Sequence, residues 1–287
     1  HAFDFPPFII QMCDNDVARV GMMFVLQLLA AVAAATTPPP ICAAVKQQDM
    51  VIPQAERHVF SKAGDRDLAL HVLSPADART DRTAIIFFFG GGWTNGQLTH
   101  FQDQARYFRD RGAVTVLADY RVFCRDGSTP RDAVEDARNA YEWARAHAAE
   151  LGVDSHRIVL GGGSAGGHLA ASVAAVEPAG KRPAALILFN PVVDLTLPAI
   201  RPSVRMDMEA ARRISPALLP ATGMPPTMMF HGDADAVAPI GSTDGYCLAI
   251  RKAGGVCTLN IYPGASHGFF NKRETVAALG TSYYLDT

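Results

Sequence analysis

Residues 157–167 read RIVLGGGSAGG. Ile158, Val159 and Leu160 run straight into seven positions where one hydroxyl, Ser164, sits among small side chains. A short apolar run that stops at glycines predicts a buried strand. The following AGGHLAASVAAV (165–176) predicts a helix. Between them, Gly162-Gly163-Ser164-Ala165-Gly166 matches G-x-S-x-G in the strand–turn–helix context that this motif needs. The turn is so tight that side chains on either side would clash. The serine is then held in a strained backbone with its Oγ above the sheet. Taken alone, the stretch also fits a flexible linker or a βα turn with a serine cap. A phosphate-binding loop would carry Lys-Ser or Lys-Thr after the glycines, and none follows.

The chain on both sides repeats the strand–helix alternation. RHVFSKAGDRDLALHVLSP (57–75) predicts a hairpin turning at Ala63-Gly64-Asp65. TAIIFFF (83–89), AVTVLADY (113–120), AALILFN (184–190), PTMMFHG (226–232) and CTLNIY (257–262) predict strands, most of them buried on both faces. Helices are expected over 98–112, 129–152, 165–176, 241–253 and from about Asn271. Thr129 is the N-cap and Pro130 the first residue of the second of these. This order predicts an α/β fold with a doubly wound, mostly parallel sheet and an antiparallel hairpin at one edge. In such a sheet chemistry collects at the carboxyl ends of the strands.

Four strand-end loops carry the chemistry. The elbow at Ser164 is one. Phe89-Gly90-Gly91-Gly92-Trp93 is the second. Its glycines leave backbone N–H groups unobstructed, so Gly91 and Gly92 can join the N–H of Ala165 in an oxyanion hole. Trp93 beside them is expected to touch substrate. The third is His231-Gly232-Asp233-Ala234-Asp235, which offers Asp235 or Asp233 as the acid that orients a histidine. Asp233 also fits a local turn cap, and Asp194 after strand 184–190 is a third candidate. The last is Ser266-His267-Gly268-Phe269, which supplies His267 as base. Ser, Asp and His come in the chain order of nucleophile-elbow hydrolases. His168, one turn into the helix after Ser164, is expected to pack rather than act as base.

Composition narrows the alternatives. The chain has 287 residues, 49% hydrophobic, with net charge −2. That suits a sizeable core and argues against a nucleic-acid partner, which needs a basic surface. No metal-ligand spacing is present, and no cofactor is expected. Residues 1–50 form an N-terminal segment and 51–287 a catalytic domain with a small lid at 194–222. Within the first, MMFVLQLLAAVAAA (22–35) is shorter than the roughly 20 residues that span a membrane, so no stable membrane insertion is expected. It reads as a signal peptide ending in Ala33-Ala34-Ala35 or as a packed apolar helix. Asp4, Asp14 and Asp16 upstream speak against a basic leader. Beyond residue 35 four of the five cysteines remain, an even set that suits an oxidising compartment. Cys247–Cys257 is the best disulfide candidate, against free, buried thiols. The protein is therefore expected to be secreted or periplasmic, or else cytoplasmic.

The segments FFFGGGW, LADYRV, LFNPVVDL, HGDADAVAP and YPGASHGFF follow one another with the spacing of the α/β-hydrolase fold. They resemble its esterase/lipase branch related to hormone-sensitive lipase and bacterial acetyl esterases. The resemblance implies Ser164 as nucleophile, Asp235 as acid, His267 as base, and Gly91, Gly92 and Ala165 as oxyanion hole. Phe89 stands where that branch usually has histidine, and Gly163 where it usually has aspartate. Gly163 has no explanation in the sequence. The last helix of such folds usually runs longer than the residues after His267. The expected reaction is ester hydrolysis through an acyl-enzyme, on a small-molecule or glycan ester with a short acyl group such as acetyl. A serine peptidase of the same fold and an inactive hydrolase-fold binding protein are the alternatives.

Overall fold

A computed structural model describes Cys42, residues 51–77 and 79–271, and the backbone of 274–276 and 281–283. The apolar stretch at 22–35 lies outside the described residues. β1 (Glu56–Ala63) and β2 (Arg66–Leu73) form the expected hairpin, with Gly64 at φ +60° in its turn. The remaining strands are β3 (Arg82–Phe88), β4 (Val114–Ala118), β5 (Val153–Gly163), β6 (Ala185–Phe189), β7 (Thr227–Gly232) and β8 (Cys257–Tyr262). They make one sheet in the order β1-β2-β4-β3-β5-β6-β7-β8. β2 pairs antiparallel with β1 and β4, and every other pair is parallel. Ala84–Phe88 of β3 and all of β4 are buried, the pattern of strands covered on both faces.

The helices are α1 (Gln102–Asp110), α2 (Phe123–Asp126), α3 (Pro130–Ala146), α4 (Ala165–Val176), α5 (Met208–Arg213) and α6 (Ile240–Lys252). α3 starts where the sequence says. Thr129 and Asp132 form a reciprocal capping box with Pro130 behind it. It stops at Ala146, short of the expected 152. Val153 N donates to Ala148 O and Gly152 N to Ala149 O, so the chain curls back into β5 through Gly152 at φ +65°. α4 is buried on all sides from Ala165 to Ala174. Its small residues let it lie directly on β5. Where a terminal helix was expected after Asn271, the described residues pair instead as a short hairpin, β9 (Glu274–Val276) with β10 (Thr281–Tyr283). Thr275, Val276, Thr281 and Tyr283 are strand-formers, and that local preference prevails there.

Disulfides join Cys247 on α6 to Cys257 on β8, as expected, and Cys42 to Cys124 in α2. The described residues all belong to one compact unit, Pro40–Thr287. Among them no helix is long and apolar enough to cross a membrane. Because β3 and β5 through β8 run parallel, the loops that follow them emerge at one edge of the sheet. Gly90–Trp93, Ser164, Asn190, Asp235 and His267 all lie on those loops.

Candidate active site

The elbow is built by exclusion of volume. A Cβ on Gly166 would stand 2.0 Å from Phe88 O, and one on Gly162 2.5 Å from the carbonyl carbon of Gly166. Only hydrogen at both positions lets α4 turn back against β3 and β5. Ser164 pays with φ +55°, ψ −120°, a region that non-glycine residues avoid. Its N–H donates to Phe189 O at 2.9 Å, which locks the turn onto β6.

Gly163 is explained by the fold. A Cβ there would meet the Phe270 ring at 2.3 Å and the Phe101 ring at 3.2 Å. Phe270 is buried and stacks on Phe101 at 5.7 Å. The aromatic ring from the loop after β8 occupies the space of a side chain at 163. An aspartate would collide with it.

From Ser164 a chain of hydrogen bonds runs outward. Ser164 Oγ donates to His267 Nε2 at 2.8 Å, and His267 Nδ1 donates to Asp235 Oδ2 at 2.7 Å. The Asp235 side chain is fully buried, while that of His267 retains 21% exposure. Asp235 Oδ1 accepts the amides of Val237 and Ala238, both at 2.8 Å. Burial alone would push this carboxyl up. Hydrogen bonds from His231 and His267, the charge of His267 and the Ala238 amide outweigh it and hold the group well below the usual carboxylate range. Asp235 is thus kept ionised, the form that accepts from an imidazole.

The other two acid candidates are occupied elsewhere. Asp233 Oδ1 accepts Gly264 N at 2.6 Å, a bond to the loop after β8 and not the local turn cap expected of it. Asp194 Oδ1 accepts the amide and hydroxyl of Thr196 in its own loop.

Among the described residues, the amides of Gly91, Gly92 and Ala165 donate to no protein carbonyl. A Cβ on Gly90 would reach 3.4 Å from Ser164 Cβ, so this loop lies directly against the serine. Thr94 N and Asn95 N both close onto Gly91 O, a tight turn that needs Gly91 at φ +132°. Phe123 N and Cys124 N donate to Trp93 O and Thr94 O. From the segment between β6 and β7, Arg205 Nη1 donates to Thr94 Oγ1 at 3.0 Å. Trp93, expected to touch substrate, is buried in this structure. Its left-handed backbone, φ +55°, turns the indole inward, where it is 2% exposed and meets His168 edge-on at 5.1 Å. It packs under the loop.

His168 does pack, as expected. Its Nε2 donates to Ile214 O at 2.7 Å, tying α4 to the segment between β6 and β7. Burial lowers its pKa to about 4, only partly opposed by the bond to Ile214, so the ring is neutral.

Two neighbours of Asp235 escaped the sequence reading. His231 Nε2 donates to Ala238 O at 2.9 Å and lies 3.2 Å from Asp235 Oδ2. Asn190 Nδ2 donates to the same oxygen at 2.8 Å. The Asn-Pro step at the end of β6 was the only signal for Asn190.

The family profile described as alpha/beta hydrolase fold matches residues 85–213. Carboxylesterase NlhH of Mycobacterium tuberculosis is 29% identical over 253 residues, covering 78% of this chain and 77% of that protein. The acetylxylan esterase of Xylanibacter ruminicola is 27% identical over 199 residues, 65% of this chain and 41% of that protein. The thermophilic esterase Est2 of Thermogutta terrifontis is 40% identical, with 77% of this chain and 85% of that one superposed at a TM-score of 0.70. The same esterase is also known phosphonylated by sarin, at a TM-score of 0.71 and 40% identity over 78% of this chain and 88% of that one. The chain belongs to the α/β-hydrolase fold esterases of the branch related to hormone-sensitive lipase, and is a serine carboxylesterase.

Proposed function

We propose that Ser164, His267 and Asp235 are nucleophile, base and acid of an acyl-enzyme reaction on short-chain, chiefly acetyl, esters of carbohydrates. The observation that carries the catalytic part is the unbroken chain Ser164 Oγ–His267–Asp235 beneath a strained elbow. His267 takes the proton as Ser164 Oγ attacks the ester carbonyl carbon. Asp235 holds the Nδ1–H tautomer and stabilises the imidazolium. The amides of Gly91, Gly92 and Ala165 receive the oxyanion, each worth about 3 kcal/mol in the transition state. The imidazolium returns its proton to the leaving alcohol. Water, activated by the same histidine, then frees the acid and restores Ser164.

The acyl preference draws on the small lid, whose only α-helix among the described residues is the six-residue α5. It draws too on Est2, which is known with propionate and with butyrate bound. The carbohydrate alcohol draws on the relative named acetylxylan esterase. Two disulfides support a secreted or periplasmic setting.

Nitrophenyl esters from acetate to long chains test both parts. The highest kcat/KM is expected on acetate to butyrate, and Ser164→Ala should lower kcat by at least about 10⁴-fold. Equal rates in Ser164→Ala would overturn the nucleophile. A long-chain optimum would overturn the acyl class.

A further inference from the structure

The triad leaves one buried amide at the site without a catalytic part. Asn190 directly follows β6 and is fully buried. Its backbone is left-handed, φ +40°, which asparagine tolerates better than most residues. Pro191 follows and disfavours the right-handed helical alternative at 190. This conformation turns the side chain across the ends of three strands. Nδ2 donates to Asp235 Oδ2 at 2.8 Å, to His267 O at 3.0 Å and to Ser266 O at 3.3 Å. Oδ1 accepts Gly232 N at 3.1 Å. One amide therefore joins the β6 end, the β7 end that carries the acid, and the loop that carries the base.

Asp235 Oδ2 is the oxygen that also receives His267 Nδ1–H, while Oδ1 is held by the amides of Val237 and Ala238. A carboxylate with fixed donors on both oxygens cannot rotate about its Cβ–Cγ bond without losing one of them. Asn190 also grips the main-chain carbonyl of the histidine that Asp235 orients. The titratable groups facing this amide are Asp235 and His231 from the β7 side and His267 from the β8 side. Asp233 is turned away onto Gly264 N.

We propose that Asn190 is a positioning residue: it clamps Oδ2 of Asp235 and the backbone of His267 together, so that the imidazole meets Ser164 in register. This rests on the triad reading above. A purely structural amide would stabilise the loops without altering how the acid–base pair titrates.

Two substitutions separate these cases. Asn190→Gly keeps the left-handed backbone and removes the amide. Asp235 then has one donor fewer and attracts the imidazolium proton more strongly. Asn190→Asp keeps the shape. Its carboxyl donates to Asp235 when protonated and repels it when ionised. Hydrolysis of nitrophenyl acetate is followed against pH for both, for the unsubstituted protein and for Ser164→Ala, with thermal unfolding of each. In Asn190→Gly we expect kcat to fall roughly 10- to 100-fold at unchanged KM. The acid limb of kcat/KM should move up by about one pH unit. In Asn190→Asp, kcat should decline with rising pH over a range where the unsubstituted enzyme is level. Absence of either signature overturns the role. So does failure of both variants to fold, which would make Asn190 a folding residue. Activity surviving in Ser164→Ala would instead strike the triad reading.

Discussion

Around Ser164 the chain is held by crowding. Added methyl groups at Gly162, Gly163 and Gly166 would all lie within 2.5 Å of a neighbouring atom. Around Asp235 it is held by hydrogen bonds, from Asn190, His267, Val237 and Ala238. The two halves of the site therefore fail in different ways. Crowding is a matter of volume: it responds to added atoms and is indifferent to pH. A hydrogen-bonded carboxylate responds to the loss of a donor or a charge while its shape stays the same. Substitutions at the acid should strike rate first. Substitutions at the elbow should strike stability first.

The largest effect is expected from Asp235→Asn. The amide is nearly isosteric, but it leaves His267 without an anionic acceptor, so kcat should fall about 10⁴-fold. Asp233→Asn and Asp194→Asn, whose carboxylates are engaged by Gly264 N and by Thr196 away from His267, should stay within roughly threefold. Steady-state kinetics on nitrophenyl acetate reads all three. An equal loss in Asp194→Asn would move the acid to another loop.

A smaller effect concerns pH. His168 lies inside the crowded half yet can titrate. Its folded pKa of about 4 lies below the ordinary 6.5, so the fold requires the neutral ring. Stability is then complete above pH 6.5 and lost progressively as pH falls towards 4, by roughly 3 kcal/mol. Asp235 acts in a lower window: its depressed pKa withdraws stability only below the usual carboxylate range. Denaturant unfolding between pH 7 and 4 should show the slope in the native chain and a flatter one in His168→Gln. The same slope in both would place its origin elsewhere.

The smallest effect sharpens the crowding itself. Gly163→Ala sets a methyl against the Phe270 ring and should cost roughly 1–3 kcal/mol of stability. Phe270→Leu shrinks the opposing side chain, so the double variant should be less destabilised than the sum of the two singles. Additive losses in thermal unfolding would show that the two positions do not share that space.

Much of this was legible beforehand. The eight strands of the main sheet fall close to their expected ranges, because unbroken apolar runs between glycines and prolines carry a strong local signal. Ser164 and His267 could be chosen from motif and order, Asp235 only through the family resemblance, and the structure brings their side chains within hydrogen-bonding distance. Local patterns missed in three places. The end of α3 depends on how the chain re-enters β5. The inward turn of Trp93 depends on a left-handed backbone in a loop that three other segments hold. The residues after Asn271 lack a strong periodic signal, and their strand-forming members paired instead.

By itself the sequence determined the alternation of strands and helices, the tight turn at Ser164 and the order of the reactive residues. Each of these rests on neighbours a few positions apart, where steric limits and hydrophobic spacing act directly. Only the tertiary structure decided which carboxylate faces His267, why residue 163 carries no side chain, and that Asn190 spans three strand ends. Those depend on atoms that lie 32 to 107 positions away along the chain and meet only when the parallel strands bring their carboxyl ends to one edge.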